Sequence, residues 1–155
     1  MQALEEARLW RKGFISMEPD VLYVRKDEMG LSKKEVGRKS AKPEELVVLW
    51  TSGDKEVALK MVFMYTLNSK RFNWGWKNVI LIVWGPSSKL LAEDLELQEY
   101  LLKMKDMGVK LMACKKCSDM YRVSESLTQL GIEVKYMGEQ LTDYLREERY
   151  RVLAV

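Results

Sequence analysis

Two cysteines are the residues in this chain best able to make and break covalent bonds. They are Cys114 and Cys117, in the run Ala113-Cys114-Lys115-Lys116-Cys117-Ser118. A cysteine thiolate is a nucleophile in its own right and needs no dedicated base. In the first turn of a helix it meets the positive end of the helix dipole and unpaired backbone N–H groups, both of which favour ionisation. Lys115 and Lys116 add positive charge beside Cys114. This predicts an accessible Cys114 with a low pKa. A spacing of three brings both sulfurs to one side of a helix if Cys117 lies in its first turn. Such a pair can close a disulfide, or one sulfur can resolve a persulfide held on the other. The bland reading is two small buried hydrophobes. A third is a zinc held between subunits that each give one cysteine pair. Spacing alone leaves all three open.

The rest of the composition narrows the chemistry by exclusion. The 155 residues include no histidine. That removes Ser-His-Asp and Cys-His catalysis and the HExxH zinc site. Two cysteines are too few for a disulfide scaffold or a four-cysteine zinc site within one chain. Neither GxGxxG nor GxxxxGK[ST] occurs, so no nicotinamide, flavin or other cofactor is expected. The net charge of +3 is too small to imply a nucleic-acid partner. No apolar run reaches the length of a membrane span, and the first residues lack the apolar core of a signal peptide. The expectation is a cytoplasmic protein without a membrane partner.

The elements that must position the cysteines begin after residue 43. Residues 1–43 hold ten Lys/Arg and seven Asp/Glu, whereas residues 44–155 hold sixteen of each, so the whole positive excess lies in a basic N-terminal extension. Within it the sequence predicts a short amphipathic helix over 3–10, a strand over 21–24 and a charged linker over 25–42. From 44 to 155 one domain follows. Leu46-Val47-Val48-Leu49-Trp50 and Val79-Ile80-Leu81-Ile82-Val83-Trp84 are continuous apolar runs, as strands covered on both faces should be. Further strands are predicted over 109–113, 132–136 and 150–155. Helices are predicted over 55–71, over 88–107 with a bend near 92–94, from 118 to before Gly131, and over 140–147. Alternation of this kind predicts an α/β fold of three layers: a mostly parallel five-stranded sheet with helices on both faces, flavodoxin- or Rossmann-like.

In such a sheet the strand-to-helix loops gather at the carboxyl edge, where ligands bind. The candidate pocket residues are therefore Thr51, Ser52, Gly53 and Asp54 after the first strand, and Trp84, Gly85, Pro86 and Ser87 after the second. Tyr121 follows the cysteines, and Tyr136 and Gly138 follow the fourth strand. Helix capping competes with ligand binding for Ser52, Asp54 and Ser87. Glu93 and Asp94 read as a solvated pair. The helix over 55–71 is apolar on nearly all sides, which calls for cover by another subunit or by the N-terminal extension.

From about residue 45 the chain resembles the DsrE/DsrF/TusD-like family of small α/β sulfur-metabolism proteins. The resemblance is carried by LVVLWTSGD at 46–54, LIVWGPSSKLLAEDLELQEYL at 81–101, GVKLMACKKCSDMY at 108–121 and GIEVKYMGEQLTDYL at 131–145. Arg122 and Gln140 stand where the family pattern leads one to expect Gly and Pro. The resemblance implies a homo-oligomer (a trimer or hexamer), sulfur donor and acceptor proteins as partners, and a cysteine that carries sulfur as a persulfide. Cys114 is its expected acceptor, with Cys117 as a resolving or alternate thiol. The alternatives are a CxxC thiol–disulfide redox module and a non-catalytic oligomeric binding protein.

Overall fold

A computed structural model describes residues 44–155. The sequence expectations for residues 1–43 lie outside the described residues. Five strands form one sheet: β1 (Glu44–Trp50), β2 (Trp76–Val83), β3 (Lys110–Cys114), β4 (Glu133–Lys135) and β5 (Tyr150–Ala154). Their order is β4-β3-β2-β1-β5, and every neighbouring pair is parallel. The fold is thus α/β, as the alternation of apolar runs and helical stretches predicts.

The first three crossovers step in one direction across the sheet, from β1 to β2 to β3 to β4. Right-handed crossovers that step one way lay their helices on one face. That face receives α1 (residues 55–71), α2 (Pro86–Glu93), α3 (Leu95–Asp106), α4 (Lys115–Met120) and α5 (Ser124–Gln129). The last connection reverses, from β4 back to β5 beside β1, and carries α6 (Gly138–Arg146) to the opposite face.

Strand side chains alternate between the two faces. On the first face Leu46, Val48, Trp50, Val79, Leu81, Val83, Leu111 and Ala113 pack against helix residues such as Phe63, Leu67, Leu97, Leu101 and Leu127. On the second, Val47, Ile80, Ile82, Met112 and Cys114 pack with Met137 and with Tyr144 of α6. Cys114 therefore faces the layer of α6, although the chain after it turns toward the other layer.

Local signals account for the helix boundaries. The Asp54 carboxylate accepts from the N–H groups of Glu56 (2.8 Å) and Val57 (3.1 Å), which caps α1. α1 is α-helical at Lys55–Val57 and Met64–Arg71 and widens to a π-helix over Ala58–Phe63. Ala58, Val62, Phe63 and Leu67 are buried, while Lys60 and Met61 are exposed. The bend expected near 92–94 is a full break. Asp94 is extended, caps α3 through Leu97 N–H (3.1 Å), and ion-pairs with Lys55 at 2.8 Å. The reading of Asp94 as merely solvated is corrected: contact with the Lys55 ammonium holds its carboxyl below the usual carboxylate range. The single helix expected before Gly131 is split into α4 and α5. Arg122 sits between them at φ 59°, a left-handed conformation suited to glycine.

Candidate functional site

The parallel sheet brings the ends of β1 to β4 to one edge. Neighbouring strands lie about 4.8 Å apart, so β1 and β3, with β2 between them, are about twice that apart. Ligand crevices in open α/β sheets open where adjacent strands send their loops to opposite faces. Here that point lies between β3 and β4. The chain leaves β3 toward the first face and leaves β4 toward α6 on the second. Cys114 is the last residue of β3 and pairs in register with Lys135 of β4. The thiol pair thus stands at the switch point.

Cys114 is both strand end and N-cap of α4, with φ −69° and ψ 111°. Its carbonyl accepts from the Ser118 hydroxyl at 2.8 Å, which ties the first turn of α4 to the strand. The Cys114 residue is only 4% exposed. Burial is the largest influence on its thiol and pushes the pKa up. The nearby backbone N–H groups of Cys117 and Lys116 pull the other way, while the Cys117 thiol pushes it up again. The net direction is upward. The expectation of an accessible, low-pKa Cys114 is corrected, because the strand's alternation turns the sulfur into the packed second face.

Cys117 occupies the more open position. It is half-buried and packs, with Leu49 and Trp84, against the cluster that contains Cys114, Met112 and Met137. Both cysteines are free and share this cluster. Lys115 does not lend its full charge to them. Its Nζ lies 2.6 Å from Asp119 Oδ2 and 5.9 Å from the centre of the Tyr136 ring. Lys116 is exposed. Tyr136 is 68% exposed and joins the rim through Lys115, while Gly138 opens α6 just beyond. Tyr121 is exposed one turn past Cys117, at the far end of α4.

The remaining candidates serve the ends of β1 and β2. The Thr51 hydroxyl donates to the Val155 carbonyl (2.9 Å), and the Ser52 hydroxyl accepts from Asp54 N–H (3.1 Å). Gly53 is held close to the next loop, since a Cβ there would stand 3.0 Å from Pro86 Cβ. Gly85 caps α2 at φ 67° and ψ −135°, and neither Ser87 nor another side chain caps that helix. The buried Ser87 hydroxyl instead donates toward the carbonyls of Trp50 (2.7 Å) and Trp84 (3.0 Å) and accepts from Trp84 N–H (3.0 Å). Ser87 is a clamp across the ends of β1 and β2. Of these residues only Trp84, on the second face, reaches the thiol cluster.

Three residues of the site escaped the sequence reading: Leu49, Met137 and Ser118. The period-two alternation that places Val47 on the second face places Leu49 there as well, so that signal was present. Met137 and Ser118 depend on where α6 and α4 begin. At the opposite edge of the sheet, Glu45, Asn78, Lys110, Gln140, Tyr144 and Tyr150 line an open cavity of about 370 Å³. Among the described residues, no group of three His, Cys, Asp or Glu side chains could hold a metal ion. Nor is any helix among them long and apolar enough to cross a membrane.

Fold and site together define an all-parallel α/β protein with a dithiol at its switch point. A solved structure with this architecture is that of a conserved protein of unknown function, BT1422, from Bacteroides thetaiotaomicron. It matches with a TM-score of 0.68 and 39% sequence identity, over 72% of this chain and 95% of that one. The chain belongs to the same family as that Bacteroides protein. No family model and no curated protein matches the chain.

Proposed function

We propose that the protein is a sulfur-relay protein that accepts sulfane sulfur on its Cys114–Cys117 dithiol and hands it on. The observation that carries the proposal is the pair of free thiols packed in one cluster at the switch point between β3 and β4. The resemblance to DsrE-like proteins points the same way and supplies the substrate class. Sulfur would arrive from a persulfide donor R–S–SH. A cysteine thiolate attacks the outer sulfur, the donor S–S bond breaks, and the donor leaves as its thiolate while the protein holds Cys–S–SH. No oxidant is consumed. Donor and acceptor proteins, a homo-oligomeric state and a cytoplasmic setting belong to the same reading.

Intact-mass spectrometry of the full chain after exposure to a persulfide donor tests it. The expected result is a sulfur-dependent change confined to the two cysteines: a reductant-labile gain of one sulfur atom, or a disulfide formed with release of hydrosulfide. A disulfide formed without hydrosulfide would replace the proposal with a thiol–disulfide redox module. Inert cysteines would leave a binding scaffold.

A further inference from the structure

The two thiols differ in their surroundings, and the difference assigns them an order. Cys114 lies on the second face of the sheet at 4% exposure, packed in one cluster with Met112, Ile82 and Met137. A nucleophile attacks a sulfur–sulfur bond along its axis, so the donor's leaving sulfur must lie beyond the sulfur under attack. The packed cluster leaves no such approach to Cys114. Cys117, one helical turn along α4, is half-buried and lies beside the exposed Lys116.

We infer that Cys117 is the thiol that receives sulfur and that Cys114 is the resolving thiol behind it, an order that rests on the sulfur-relay reading above. It reverses the order expected from the position of Cys114 at the end of β3. The receiving step forms the bond from Cys117 Sγ to the donor's outer sulfur and expels the donor thiolate. In the resolving step Cys114 attacks Cys117 Sγ. The bond between Sγ and the carried sulfur breaks, the Cys114–Cys117 disulfide forms, and the sulfur departs with the Cys114 proton as hydrosulfide. The carried sulfur is reduced by two electrons and the two cysteines are oxidised by one each. An external dithiol, itself oxidised to a disulfide, restores the pair.

Cys114 is the N-cap and Cys117 the third residue of α4, and both pack in one cluster, which places the two sulfurs near enough for a disulfide to close after a small movement. The Cys114 thiol keeps its proton to higher pH than a free thiol does, which suits a group that acts second and delivers that proton to the leaving sulfur. The product of the relay is then hydrosulfide, and a reaction that consumes reduced sulfur must follow it.

The test treats the wild-type chain, Cys114→Ser and Cys117→Ser with glutathione persulfide, and follows intact mass, peptide maps and released hydrosulfide. Serine is a favourable N-cap, so Cys114→Ser keeps the start of α4. The expected pattern is a stable extra sulfur on Cys117 in Cys114→Ser and no gain in Cys117→Ser. Wild type should show a disulfide with one hydrosulfide released per chain. A persulfide on Cys114 in Cys117→Ser, with none in Cys114→Ser, would overturn the order while leaving the sulfur-relay reading intact. Absence of any sulfur-dependent change in all three proteins would remove both. Alkylation of the wild-type chain with one equivalent of iodoacetamide gives an answer that does not depend on how the variants fold. Label should appear on Cys117 first, and label on Cys114 first would overturn the order.

Discussion

The carboxyl edge of this sheet holds two regions of opposite character. At the ends of β1 and β2, polar groups are used within the fold. Thr51 binds Val155, Asp54 caps α1, and Ser87 ties Trp50 to Trp84. At the end of β3, two free thiols share an apolar cluster. Both regions occupy strand-to-helix loops that precede a helix N-terminus. What separates them is the direction in which the chain leaves. The loops after β1 and β2 turn to the same face and close on each other, as Gly53 against Pro86 shows. Beyond β3 the neighbouring connection leaves to the other face, and a crevice can open. Position at the edge is therefore a weaker guide to a site than the change of face.

The largest expected effect is on thiol reactivity. At neutral pH, Cys117 should alkylate well ahead of Cys114. Because burial raises the Cys114 pKa, the gap should narrow only in alkaline solution. Mass-resolved alkylation across pH measures this. Equal rates at neutral pH would erase the contrast between the two sulfurs.

Ser87→Ala should act on the other region alone. It removes a buried hydroxyl from two carbonyls and an N–H, at a cost of about 1–3 kcal/mol. Urea unfolding reads the loss, and an altered Cys117 alkylation rate would mean that the two regions are coupled.

A smaller loss, about 1 kcal/mol, is expected for Asp94→Ala, which deletes the cap of α3. The folded pKa of Asp94 is depressed, so its contribution is present above the unfolded value of about 3.9 and is lost as pH falls through the lower folded value. Wild-type stability should therefore drop more steeply than that of the variant in this acid range. Parallel acid titrations would argue against the Lys55 contact as the cause. The smallest effect is a gain. Arg122→Gly relieves a left-handed residue, and after glycine's greater chain entropy is offset it should stabilise by about 0.5 kcal/mol, read by thermal unfolding.

The apolar runs made the sheet legible, because strands buried on both faces carry few polar residues. A bend before α3 is also visible in the sequence, although the full break and Asp94 as its cap are not. Capping depends on backbone conformation, and Glu93 and Asp94 look alike in a linear pattern. Arg122 stands out in the sequence as a substitute for Gly, but its consequence, the division of α4 from α5, does not. The cysteine pair was found by residue type and spacing. Its burial follows from strand alternation and runs against what helix position alone predicts: Met112 and Cys114 share a face, and that face is packed. Four loops at one edge looked equivalent until strand order showed which pair parted to opposite faces.

The pairing of β5 with β1 bears on how the chain reaches this fold. β1 is among the first described elements and β5 is the last, and Thr51 and Val155 join across 104 positions of sequence. Every other strand pair joins consecutive strands. The four-stranded portion can thus assemble by local steps, with one flank of β1 unsatisfied until β5 arrives. During that interval the flank is a template for a strand from any chain. A second copy's β5 fits it in the same register, so the slow closing step is also the step at which two chains can exchange strands.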